Sequence, residues 1–208
     1  MAWWIPILRP NLSTLARIES ELINSSSKLY WQSIEMHRSE AKRDTNTAWR
    51  IPSSNLKPTR LYITFQLAEK VNTYTGNNAT FDTMNLERIH VRINNHQFPL
   101  EEYTCNFTDK INDYNRVYHS FLEAGLKYSD VDSGSQVSYS EFKSLYPIFH
   151  IDVSKHEDNL FEISGISDVE LRFNLRTAPT ADYYIYCLVL TDRFATLQGI
   201  GGRMNIIL

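Results

Sequence analysis

Pro58-Thr-Arg-Leu-Tyr-Ile-Thr-Phe-Gln-Leu67 sets Leu61, Ile63, Phe65 and Leu67 at alternate positions against Tyr62, Thr64 and Gln66. Successive side chains of a strand point to opposite faces, so this run reads as a strand with one apolar face turned to a core. Working outward, Leu86, Ile89, Val91 and Ile93 make a second strand that ends at the tight turn Asn94-Asn95. Further strands are expected over Leu145–Val153, Val169–Leu175 and Tyr183–Thr191, with a short last one over Met204–Leu208. Upstream, Leu29, Trp31 and Ser33 alternate with Tyr30, Gln32 and Ile34 between Lys28 and His37, which predicts a strand with one well-buried face. Thr47-Ala-Trp-Arg-Ile-Pro52 follows the polar run Arg38–Asn46, and Pro52 ends strand pairing on the donor side.

Two segments carry a helical period instead. Tyr114, Val117, Tyr118, Phe121 and Leu122 share one face between Asp113 and Leu126, with Gly125 as a candidate C-cap. This predicts one amphipathic helix inserted in a sheet protein. Near the amino terminus, Leu15, Ile18, Leu22 and Ile23 fit a short helix capped by Ser13. Residues 1–10 read as extended because Pro6 and Pro10 block helix continuation. The expected organisation is an arm with a short helix over 1–27, then one β domain over 28–208.

The 208 residues suffice for one large domain, and a chain of this size buries about 70% of its extended surface on folding. Aromatic residues make up 12%, with 12 Tyr, 10 Phe and 4 Trp, a bias toward strands. About eight short strands, long connections and one inserted helix point to an all-β sandwich of Greek-key or jelly-roll type. A net charge of −3 without a basic run disfavours a direct nucleic-acid partner. No stretch approaches the about 20 apolar residues of a membrane helix, so membrane insertion is not expected. MAWWIPILRP lacks a basic leader and a small-residue cleavage site, so it is not read as a signal peptide. Asn11, Asn24, Asn78 and Asn106 head N-x-S/T sequons, which composition alone explains. Cys105 and Cys187 are too few for a disulfide framework or a four-ligand zinc site and read as free thiols of a reducing compartment.

Candidate chemistry is sparse. Asp130-Val-Asp-Ser-Gly-Ser-Gln-Val-Ser-Tyr-Ser-Glu141 matches positions 1, 3 and 12 of an EF-hand loop through Asp130, Asp132 and Glu141. Gly134 stands where an oxygen ligand is required and Ser135 where glycine takes a positive φ, so a polar loop is the reading. His90 and His150 could face each other across strands as metal ligands, but no H-x-H spacing occurs, and hydrogen-bonded or surface histidines are expected. Ser164-Gly165 lacks the rest of a nucleophile elbow. Gly199-Ile-Gly-Gly202 lacks the Lys-Ser/Thr of a phosphate loop and reads as a hairpin turn. Glu101-Glu102 and Glu157-Asp158 read as solvated charge. No catalytic, cofactor-binding or metal residue is assigned, and the expectation is a protein without enzymatic activity.

Leu145-Tyr-Pro-Ile-Phe-His-Ile-Asp-Val-Ser154, Asp168-Val-Glu-Leu-Arg-Phe173 and Tyr183-Tyr-Ile-Tyr-Cys-Leu-Val-Leu190 resemble the C-terminal part of double jelly-roll major capsid proteins. The relevant members are those of Polinton (Maverick) type transposons and related double-stranded DNA viruses of animals. Trp3-Trp-Ile-Pro6, Trp49-Arg-Ile51, Pro58–Phe65, Ile93-Asn-Asn95 with Phe98-Pro99, and the helix from Asp113 to Leu122 agree in the same order. The resemblance implies a structural protein without cofactor: two jelly rolls side by side in one chain, three chains in a trimeric pseudo-hexagonal capsomer, capsomers tiling a virion. It also implies location in the virion and in the host cytoplasm or nucleus rather than secretion. The expected partners are copies of this chain or another jelly-roll domain, with Trp3 and Trp4 as candidates for burial against a neighbour or, equally, against their own domain. This chain holds a single jelly roll that corresponds to the second of the two. It is thus expected to be a piece of a larger subunit, to pair with a separate first jelly roll, or to serve a domesticated host role. The competing class is a single jelly-roll module that binds carbohydrate or protein, which needs an exposed aromatic platform on a concave face. A metal-dependent cupin-like enzyme is a third.

Overall fold

The computed structural model describes residues 11–14, 16, 17, 20, 27–52, 58–71, 77–94, 96–108, 111–126, 136–154, 168–200 and 203–207. Its strands are β1 (Ser27–Arg38), β2 (Asn46–Ile51), β3 (Pro58–Leu67), β4 (Leu86–Ile93), β5 (His96–Thr104), β6 (Phe149–Asp152), β7 (Val169–Leu175), β8 (Tyr183–Ile200) and β9 (Arg203–Ile207). Two helices, α1 (Asn115–Leu126) and α2 (Tyr139–Ser144), lie between β5 and β6.

The chain divides into a unit of residues 34–191 and a smaller one of 1–33 with 192–208. In the larger unit the first sheet has the order β1-β8-β3-β6 and the second β2-β7-β4-β5. Nearly every neighbour in these orders is distant in sequence, which is the Greek-key crossing pattern of a jelly roll. β3 is antiparallel to β8 from Leu61↔Val189 to Leu67↔Tyr183, and β7 is held between β2 and β4, with Trp49↔Leu171 and Val91↔Leu171. The register turns Leu61, Ile63, Phe65, Ile185 and Cys187 of the first sheet inward onto Ile89, Val91, Leu171 and Phe173 of the second. All of these are buried. The interior is aromatic at its centre, where Phe65 meets Phe173, Phe149 and Tyr183 with ring centroids 5.0, 5.8 and 6.2 Å away. Edge-to-face contacts of this kind add to the area term that dominates core stability. In the smaller unit β8 pairs antiparallel with β9, Gly199 opposite Met204 and Ile200 opposite Arg203, while Gly201 and Gly202 lie outside the described residues.

Several expectations are corrected. β1 has no well-buried face: Leu29, Tyr30, Trp31, Ile34 and Met36 are all exposed. Alternation reports that two faces differ and is silent on whether anything covers either. β8 runs on to Ile200, nine residues past the expected end at Thr191, because β9 gives its second half a partner. β6 begins at Phe149 rather than Leu145, since Tyr139–Ser144 folds as α2. The signal for that helix is the capping box: Ser138 accepts from the Glu141 amide, and Glu141 reaches back to the Ser138 amide. α1 ends at Leu126, the expected bound, and Gly125 lies within the helix rather than capping it. Near the amino terminus residues 12–14, 16, 17 and 20 are helical. The cap there is Asn11 rather than Ser13, for its Oδ1 accepts from the Thr14 amide at 2.9 Å. Trp3, Trp4, Ser164-Gly165 and Glu157-Asp158 lie outside the described residues.

Candidate interaction surfaces

β-sandwich strands expose alternate residues, and the two outer faces of the larger unit differ in kind. On the second sheet the outward positions of β4 and β7 are Arg88, His90, Arg92, Glu170 and Arg172. Glu102 of β5 lies 3.3 Å from both Arg88 and His90, and Arg172 donates to Glu170 at 2.7 Å. Glu101-Glu102 is therefore part of a strand, and Glu102 is an ion-pair partner rather than solvated charge. This face is built to meet water. It also carries a titrating group. Burial lowers the His90 pKa from 6.5, assisted by Arg172 and Arg92 and opposed by Glu102. A histidine with a depressed folded pKa binds its proton more readily when unfolded, so stability falls as pH drops below about 6.5 toward the folded value. His90→Gln is accordingly expected to lose less of its urea midpoint than the parent between pH 7.5 and 5. Parallel midpoint curves would remove His90 from the account.

The outer face of the first sheet is apolar. Two adjoining grooves of about 320 and 280 Å³ share Met36 of β1, Thr64 of β3, Phe81 and Tyr186 of β8. Tyr62, Ile148 and Leu188 extend the walls at one end, Val71 and Asn78 at the other. Phe81 is held in place by its amide, which donates to the Leu145 carbonyl. On the floor, the Gln66 amide nitrogen donates to the Asn78 and Thr80 carbonyls. Thr64 beside it is 8% exposed, and its hydroxyl has no hydrogen-bond partner among the described residues. At the rim, the Arg38 guanidinium stacks 4.9 Å over the Tyr184 ring.

The residues singled out for chemistry are dispersed. His90 belongs to the second sheet and His150 to the first, so the two do not face one another. His150 is covered by α1: its Nδ1 and its carbonyl each lie 3.1 Å from the Ser120 hydroxyl, which also accepts from the Tyr103 hydroxyl at 3.0 Å. Tyr103, Ser120 and His150 are all buried, so this Ser-His contact ties β5, α1 and β6 together and has no surface for a substrate. Glu141 is engaged by Ser138, whose hydrogen bonds hold its carboxyl below the usual range. Asp130 and Asp132 lie outside the described residues. Both cysteines are free and buried. Burial pushes the Cys105 thiol up to about 12, with Asp113 adding to the effect, and raises Cys187 as well. Thiols so shifted stay protonated and inert. No group of three or more metal-binding side chains forms among the described residues.

The strand order and the match to a family model agree. The model of the double jelly roll-like domain matches residues 2–195. The chain belongs to the double jelly roll-like domain family. Its antiparallel sheets of five and four strands are those of a jelly-roll β-sandwich, and the two helices lie in the connection from β5 to β6. No curated protein sequence matches the chain.

Proposed function

We propose that this chain is a non-catalytic structural subunit, a jelly roll that packs beside copies of itself or another jelly-roll domain in a trimeric capsomer of a virion. Within a Polinton-type capsid protein it takes the place of the second jelly roll. The reading is carried by the surface of β1. Of eight large apolar side chains exposed among the described residues, five lie on this strand between Leu29 and Met36. β1 is also the end of its sheet in the strand order. An edge strand that is apolar invites another protein surface, whereas strands meant to stay single carry charge there. The charged outer face of the second sheet supports the same reading by contrast, since it leaves one side of the sandwich for water. Assembly takes place in the host cytoplasm or nucleus in this reading, and the protein touches neither nucleic acid nor bilayer directly.

Light scattering across a concentration series, with electron microscopy of the same samples, tests it. Trimers or hexagonal arrays are expected, and Ile34→Glu/Met36→Glu is expected to weaken association at least ten-fold while leaving the circular dichroism unchanged. A stable monomer that binds glycans overturns the proposal.

A further inference from the structure

We propose that the groove on the outer face of the first sheet binds a fatty carboxylate, its alkyl chain lying along β8 between Met36 and Phe81 and its head meeting Arg38. The site lies within the larger unit and does not depend on the assembly reading. Its two ends differ. Tyr62, Ile148 and Leu188 form an apolar end, and Gln66 and Asn78 stand at the other. Tyr184 is opposite Gln66 in the pairing of β3 with β8, so the Arg38 guanidinium over its ring borders that polar end. Arg38 is exposed, and no carboxylate pairs with it among the described residues. An apolar slot with a cation at one end complements an apolar chain with an anion at one end.

Dimensions narrow the choice of occupant. β8 lies between β1 and β3, so the strands that carry Met36 and Thr64 run two spacings apart, about 10 Å between backbones, and the Met36 and Phe81 side chains narrow the slot further. An α-helix, about 10–12 Å across with its side chains, is too wide to enter. An extended peptide would bring amide groups that apolar walls leave unpaired. A single alkyl chain meets neither obstacle. From Tyr62 to Gln66 the floor follows β3 for about 13 Å, the length of an extended chain of about ten carbons. The sign of the Arg38 charge then selects a carboxylate over a cationic head.

The test is decanoate titrated into dilute protein while the methyl signals of Met36, Ile148 and Leu188 are followed by nuclear magnetic resonance. Saturable shifts of these signals are expected, with those of Leu100 and Ile111, exposed elsewhere on the molecule, staying in place. Octanoate is expected to bind about ten-fold more weakly, since two methylenes leave the groove, and dodecanoate to gain much less than that over decanoate. Arg38→Gln is expected to weaken decanoate about five-fold, and decyltrimethylammonium, with the same chain length and the opposite charge, to bind the parent about ten-fold more weakly than decanoate. Absent shifts overturn the proposal, as do equal shifts at Leu100 and Ile111, which mark unselective adsorption. Equal binding of decanoate and decyltrimethylammonium, unaltered by Arg38→Gln, removes the carboxylate and overturns it too. Sedimentation of the same samples keeps the two readings apart. Trimers that form with no decanoate shift overturn this inference and leave the assembly reading standing, whereas decanoate shifts in a protein that stays monomeric support this inference while the assembly reading fails.

Discussion

Phe65→Ala is expected to lower the free energy of unfolding by about 3–5 kcal/mol, the range for removing a large aromatic from a packed interior. Phe65 has no exposed surface and meets rings from both sheets: Phe149 of β6 and Tyr183 of β8 on its own side, Phe173 of β7 across the core. Those partners are fixed by strand pairing, with Phe65 opposite Ile185 and Phe173 opposite Ile89, so they cannot move inward to fill the space. A cavity that stays open costs more than the transferred area alone. Since domains of this kind are stable by only about 5–15 kcal/mol, the loss is a large part of the total. Urea unfolding followed by circular dichroism measures it, with Phe65→Leu as the control that keeps most of the volume and loses much less. A loss under about 1 kcal/mol for the alanine variant would mean that the two sheets close over the gap and that the ring contacts do not define the core.

The reading of β3, β7 and α1 from sequence alone succeeds for a common reason. Each has one face on the core and one on something else, so a single period writes the structure into neighbouring residues. Val169–Leu175 appears in the fold with its expected bounds. β5 has no such record. Pro99 and the exposed Leu100 interrupt it where the register with β4 shifts between Ile89 and Val91, and only the Asn94-Asn95 turn announces that a strand must return. Asn94 there takes φ 47°, a left-handed conformation that asparagine tolerates better than most residues. α2 is six residues long, too short for periodicity to show, yet the Ser138-x-x-Glu141 box marks its start. The apolar groove is a different case. Met36, Thr64, Phe81, Ile148 and Tyr186 come from five separate segments that only the sheet order and its flanking loops bring together, and no local pattern carries that information. Thr64 and Gln66 even read as the solvent side of their strand, although both are buried.

Phe142→Ala is the second large effect, again about 3–5 kcal/mol, but with a different distribution over the molecule. Phe142 is the buried residue of α2, and its ring lies 5.3 to 6.5 Å from those of Phe121, Tyr118, Tyr114 and Phe149. A helix of six residues cannot hold itself, because nucleation costs more than so few hydrogen bonds return. Its capping box fixes one end, and Phe142 is its one buried anchor in the core. α1 in turn reaches α2 through Tyr114, stacked 4.1 Å from Tyr139 and donating to the Tyr139 carbonyl. Removing Phe142 therefore loosens the helical connection while the pairing of β3 with β8 keeps its partners. Amide exchange separates the two consequences: protection is expected to fall first and furthest over 115–126 and 139–144, and to persist in β3 and β8 until global unfolding. Uniform loss across all of these elements would instead show that the helices and the sandwich unfold as one cooperative unit. Phe142→Leu, which keeps an apolar group of similar size against Phe149, is expected to restore most of the helical protection.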